Sequence, residues 1–210
     1  MRRLIFLCGF ISLVLNSCNN GKKLPFYGPK TVSQKIVDGK QEVDSVNYSI
    51  PGFTMTDQDS NTVNEGTVND KIYVADFFFT SCPSICPKMM KEMGYVYDKY
   101  KGNGNIQILS FSIDPERDSV GRLKDYAKRL GNIDGTKWHL LTGNKDSIYE
   151  LAKKYLVSAT EDPDAPGGHI HDGNFILIDT KSRIRGYYDG TDDESVKKLM
   201  NDMDILLSEK

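Results

Sequence analysis

Apolar positions along the chain fall into short blocks separated by polar stretches rich in Gly, Pro, Asn and Asp. Lys71 to Thr80 (KIYVADFFFT) is an almost unbroken run of strand formers, the pattern of a central strand buried on both faces. Ile106 to Ile113 repeats it. Between them, Ser81 to Pro87 is a Pro-bearing loop, and helical spacing begins at Lys88. Ser119 to Leu130 and Asp146 to Tyr155 read as helices, with a short strand, Trp138 to Leu141, between them. Phe175 to Ile178 and Ile184 to Tyr188 form a hairpin across Thr180-Lys181-Ser182. Thr191, with Glu194 three residues on, has the form of a capping box opening a last helix to about Leu207. Nearer the start, Phe53 to Thr56 and Thr62-Val63 flank the polar turn Asp57 to Asn61, a second hairpin. Alternation followed by a hairpin predicts an α/β domain with a mixed central sheet.

The first residues follow a different rule. Two arginines precede a 12-residue apolar run, Leu4 to Leu15, which is too short to span a bilayer and has the length of a signal-peptide core. It ends in Leu15-Asn16-Ser17-Cys18, which resembles a bacterial lipobox, although Asn16 departs from the small residue usual there. The expectation is a leader over 1–17, a lipid on Cys18, a polar tether over 18–47 and a single domain over 48–210. A plain secretory signal or a short anchor is the alternative. Leu24-Pro25-Phe26-Tyr27 is the part of the tether able to pack on the domain.

Charge excludes some partners. The chain has 27 basic and 29 acidic residues, and loss of Arg2 and Arg3 with the leader leaves 25 against 29. A mildly acidic chain without a basic block is a poor binder of nucleic acid or anionic lipid. Export also divides the four cysteines. Cys8 goes with the leader and Cys18 takes the lipid. Cys82 and Cys86 remain, too close in sequence to stabilise a domain much as a disulfide.

Their use is therefore chemical. If the helix begins near them, residues at i and i+4 share a face with Cβ atoms roughly 5–6 Å apart. Two thiolates at that spacing chelate one soft ion such as Cu(I), or close a disulfide. A helix N-terminus favours the thiolate. His169 and His171 lie two apart in an extended segment and point the same way, so either imidazole is a candidate third ligand. A Cys₂His set suits copper, and Cu(II) needs the nitrogen more than Cu(I) does. His139 reads as structural, and Met89, Met90 and Met93 as core. Asp57 and Asp59 read as turn residues, since a calcium loop's later acidic ligand is missing. Asp114, in Ser112-Ile113-Asp114-Pro115-Glu116-Arg117-Asp118, either caps a loop or lies near the sulfurs. The chain has no P-loop, nucleophile elbow or dinucleotide glycine fingerprint.

DFFFTSCPSICPKM, LSFSIDPERDSVGRLKDYAKRLG, WHLLTG and HDGNFILID, in that order, resemble the Sco/SenC family of copper-delivery proteins over about Ile50 to the C-terminus. The resemblance implies a thioredoxin-like fold with an added N-terminal β-hairpin. It implies copper ligands at Cys82, Cys86 and the His eight residues before Asp179, which is His171, leaving His169 a neighbour. Asp114 matches an aspartate implicated in copper handling, and Asp172 stands where the family usually has Ser or Thr. The implied function is assembly of the dinuclear copper (CuA) centre of cytochrome c oxidase, by giving copper, by reducing the target's cysteines, or both. The partner is then the oxidase's copper-bearing subunit. The expectation is a monomer, lipid-anchored in a bacterial envelope and facing the periplasm. One rival is a metal-free thiol-disulfide oxidoreductase using Cys82 and Cys86 as a redox-active pair. Thioredoxin-type enzymes use C-x-x-C facing a cis-Pro, whereas this spacing is one longer and His-Ile-His replaces that Pro. A thiol peroxidase is a weaker rival, since no Arg is near Cys82 in sequence.

Overall fold

The computed structural model describes residues 23–37 and 40–209. Strands β1 (Thr31–Val37) and β2 (Lys40–Val46) pair antiparallel as a hairpin of their own. A second hairpin, β3 (Thr54–Asp57) and β4 (Thr62–Asn64), leads into a single helical turn, α1 (Glu65–Val68). Alternation follows through β5 (Ile72–Phe78), α2 (Cys86–Tyr100), β6 (Ile106–Ser112), α3 (Val120–Arg129), β7 (Trp138–Thr142) and α4 (Lys145–Lys154). A small pair, β8 (Ala159–Glu161) and β9 (His169–His171), precedes β10 (Asn174–Ile178), β11 (Ile184–Asp189) and α5 (Asp193–Ser208).

Seven strands form one sheet in the order β11-β10-β5-β6-β7-β3-β4. β5, β6 and β7 run parallel, and the flanking strands are antiparallel to them. Every residue of the three parallel strands is buried, as their predominantly apolar runs lead one to expect. The result is a thioredoxin-like fold with an added hairpin, β3-β4, at its N-terminal side. Met89, Met90 and Met93 are all in the core. His139 lies buried with Nδ1 3.1 Å from Asp57 Oδ2, and Asp57 Oδ1 accepts from the N–H groups of Asp59 and Asn61. That pairing accounts for the structural reading of His139 and the turn reading of Asp57.

Three local features differ from the pattern. The last helix is capped by Asp192, which accepts from Ser195 N–H, and not by Thr191, whose hydroxyl is engaged by Asp189. Helix α2 starts at Cys86, two residues before Lys88, with Pro87 in the first turn, where its missing N–H costs nothing. Within the span expected as a tether, Leu24 is buried and β1 and β2 form. Those strands are polar and carry no alternation strong enough to read. The leader and Cys18 lie outside the described residues, among which no helix is long and apolar enough to cross a membrane.

Arg185, 3% exposed, ties the segment at Leu24 and Pro25 to the end of the last helix. It donates to the carbonyls of Leu24 and Pro25 and to the carboxylates of Asp179 and Glu209. Removing one partner of a buried ion pair strands the other charges. Arg185→Met is therefore expected to destabilise the domain by about 3–5 kcal/mol. Urea denaturation would measure it, and a loss under about 1 kcal/mol would make this an ordinary surface pair.

Candidate metal centre

Cys82 sits in the loop that leaves β5 at its carboxyl end, where open α/β sheets place ligands. The loop is pinned from below. Buried Asp118 accepts from Thr80 N–H at 2.9 Å, from the Thr80 hydroxyl and from Ser112 Oγ at 2.6 Å. Cys82 N–H donates to Phe79 O at 3.2 Å, turning the chain so that Cys82 faces the start of α2. Cys82 is thus a loop residue and Cys86 the first residue of the helix, so the pair meets across a turn and not along one helical face.

The third member arrives on β9. Gly167 and Gly168 precede it with φ of +85° and +86°. A Cβ on Gly167 would lie 2.7 Å from the Phe79 ring, so that approach requires glycine. His171 Nε2 stands 3.3 Å from Cys86 Sγ. The ligand atoms of Cys82, Cys86 and His171 all lie within 4.8 Å of one another, and both cysteines are free thiols. His171 Nδ1 is 3.1 Å from the carbonyl of Asp172, a contact in which only Nδ1 can donate. Nδ1 therefore donates there, and in the neutral ring Nε2 is the lone pair that faces the sulfurs. The Asp172 carboxylate is turned away and accepts from Ser158 N–H. The residue that replaces Ser or Thr thus holds the histidine through its backbone.

The two thiols share one charge unequally. Cys82 is lowered well below an ordinary thiol, first by the hydrogen bond from Cys86, then by His171 and the N–H groups of Cys86 and Ser84, all against its burial. Cys86 is raised by the same hydrogen bond and by burial. Helix α2 has no side-chain cap, so its first N–H groups add to the preference for a thiolate here.

His169 Nε2 lies 3.7 Å from Asp114 Oδ2, and the Asp114 carbonyl accepts from the N–H groups of Arg117 and Asp118. His169, His171, Cys82 and Phe79 line one pocket of about 180 Å³. Among the described residues, the sequence pattern missed Asp76, the one acidic residue inside β5. A charge in a fully apolar run was the available signal. Ser110 Oγ donates to its Oδ1 at 2.5 Å, Trp138 Nε1 donates to Ser110 at 2.9 Å, and Oδ2 has no partner. Burial pushes the Asp76 carboxyl up to about 7, against the Ser110 hydrogen bond and the attraction of His171. The native state then holds a proton that the unfolded chain sheds above its ordinary value of 3.8. Stability must fall as pH rises from there towards 7. Asp76→Asn, neutral throughout, is expected to lose less stability than the wild type between pH 5 and pH 8. Equal losses in urea denaturation would contradict a raised Asp76.

Fold and site together define a thioredoxin-like protein whose two buried thiols have an imidazole donor beside them. The chain belongs to the SCO1/SenC family, whose model matches residues 42–207. It is 31% identical over 167 residues to the SCO1 protein homolog of Bacillus subtilis, covering 79% of this chain and 86% of that one. The crystal structure of a SCO1/SenC family lipoprotein from Bacillus anthracis superposes with a TM-score of 0.69 at 28% identity, over 76% of this chain and 95% of that one. BsSco, described as having a disulfide switch and as a member of the Sco family of cytochrome c oxidase assembly proteins, gives 0.68 at 29%, over 79% and 96%. Arabidopsis thaliana ScoI with copper bound gives 0.61 at 25%, over 73% and 97%.

Proposed function

We propose that the chain is a copper chaperone that carries copper on Cys82, Cys86 and His171 to the copper-bearing subunit of cytochrome c oxidase. The observation that carries this reading is the convergence of two thiols and an imidazole lone pair within 4.8 Å. That donor set is soft, with one borderline nitrogen, and suits copper in either oxidation state. The copper bound by a relative's structure and the assembly role described for BsSco support it. The thiol-reductase reading needs a dithiol that attacks a disulfide in solution, and it has no use for an imidazole lone pair aimed at a thiol 1% exposed. Anaerobic titration of the reduced protein with Cu(I) against a chelator tests the proposal. One tight equivalent is the expected result, and the absence of any would end it.

The same proposal places the protein at the outer side of a bacterial membrane, as a monomer held by a lipid on Cys18. The lipobox and the lipoprotein relative support that placement. Cys18→Ser is expected to move the protein from the membrane fraction to the soluble one. An unchanged membrane fraction on sedimentation would refute the lipid.

A further inference from the structure

Beside the loop that carries Cys82, the fold gathers three arginines that the proposed function leaves unused. Arg117 precedes α3, and Arg122 and Arg129 lie on it. They are scattered along the chain and form no basic block in the sequence. With Ser119 and Asp125 they line an open basin of about 500 Å³. Arg117 Nη1 donates to Ser81 Oγ at 3.1 Å, and Arg122 Nε donates to Thr80 Oγ1 at 2.6 Å. The basin therefore abuts the two residues that lead into Cys82. Arg129 stands over the Tyr126 ring, 5.0 Å from its centroid.

The opposing charges are placed behind this face or engaged elsewhere. Asp114 and Asp118 lie 3.5 Å from Arg117 and Arg122, but both carboxylates are buried, while the guanidinium side chains are 55% and 44% exposed. Asp125, in the wall of the basin, is held by Lys128 at 2.8 Å. Glu116 faces Lys145 at 3.6 Å. Among the described residues, Arg117 and Arg122 each donate one side-chain hydrogen bond and Arg129 donates none. A guanidinium has five N–H groups, so most of theirs are open to the basin. In a chain with more acidic than basic residues, this face is a local reversal of sign.

We propose that Arg117, Arg122 and Arg129 form the docking surface for the protein that exchanges copper with this one, and that this partner presents clustered carboxylates beside its own metal-binding groups. The proposal rests on the copper reading above and specifies the chemistry of the partner's surface. Arginine meets carboxylates through paired N–H···O bonds and is enriched among the residues that carry binding energy. A partner seated in the basin lies against Thr80 and Ser81, next to Cys82, the more exposed of the two thiols. Charge complementarity of this kind speeds the encounter and fixes its orientation. Anionic lipid is the other surface that arginines attract. A membrane on this face would cover the approach to Cys82, which favours a protein.

The test follows association of the Cu(I)-loaded full-length protein with the metal-free soluble domain of the oxidase's copper-bearing subunit, by surface plasmon resonance. The wild-type association rate is expected to fall roughly tenfold between about 20 mM and about 200 mM salt. Arg129→Glu is expected to slow association roughly tenfold at low salt and to flatten the salt dependence, and Arg122→Gln to slow it several-fold. Lys101→Glu, the same change of charge beyond the far end of α2, is expected to keep the wild-type rate and slope. A wild-type rate indifferent to salt would overturn the proposal. So would Arg129→Glu as fast as wild type, or Lys101→Glu as slow as Arg129→Glu. Retention of the Cys18→Ser chain on phosphatidylglycerol vesicles, lost with Arg129→Glu, would overturn it in favour of lipid. Failure of the chaperone reading looks different. The domain, separated after mixing, would then hold no copper however fast the two proteins associate, and both proposals would end.

Discussion

Replacing either Cys82 or Cys86 with serine is expected to abolish tight one-to-one copper binding. Cys82 and Cys86 are 9% and 1% exposed, and their sulfurs lie within one ion's reach of each other and of His171. Cu(I) is content with two thiolates, and a hydroxyl is a poor, hard substitute. Loss of an outer partner to a metal ligand typically costs roughly 10–100-fold in affinity. Loss of a ligand from a set this small should exceed that. The two single variants should also fail alike, because each leaves one thiolate. Cys82→Ser removes the sulfur that carries the charge, and Cys86→Ser removes the donor that keeps it there. Competition against a Cu(I) chelator measures both. A single variant with wild-type affinity would dismiss the paired-thiolate site. A reductase makes a separate demand, turnover of a disulfide substrate by the metal-free dithiol well above the rate of free thiols.

How far the sequence disclosed this site follows from the physics of each part. The strands β5, β6 and β7 are legible because a parallel strand buried on both faces is apolar at most positions and shows no alternation. The loop from Ser81 to Pro87 is legible because two prolines and two cysteines interrupt that rule. The hairpin β8-β9 is not, since its strands are three residues long and His-Ile-His is too short to show a period. Yet β9 delivers both histidines, so their position rested on the family resemblance more than on pattern. The partners of each imidazole were out of reach for a different reason. Tyr149 approaches His169 from α4, and the carbonyl that orients His171 is backbone, which no side-chain motif records. Asp118 shows the opposite case. It lies in the recognisable S-x-D-P-E-R-D stretch, but its work as the pin under Thr80 is visible only once β5 and β6 are paired.

The two histidines give the second large effect. His171→Ala is expected to cost little in Cu(I) affinity and to remove, or quickly bleach, the thiolate-to-copper charge-transfer band of the Cu(II) form. Cu(I) is satisfied by the two sulfurs, whereas Cu(II) requires the borderline nitrogen. The geometry separates the histidines where chain alternation does not. His171 Nε2 is 3.3 Å from Cys86 Sγ with its other nitrogen held by a carbonyl, while His169 Nε2 is turned to Asp114. Visible absorbance and paramagnetic resonance of His171→Ala and His169→Ala, each loaded with one equivalent of Cu(II), check the assignment. The band should be lost from the His171 variant. A variant at His169 that loses the band, beside one at His171 that retains it, would reverse the two roles. A band that persists in both would leave Cu(II) on the sulfurs alone and remove histidine from the centre.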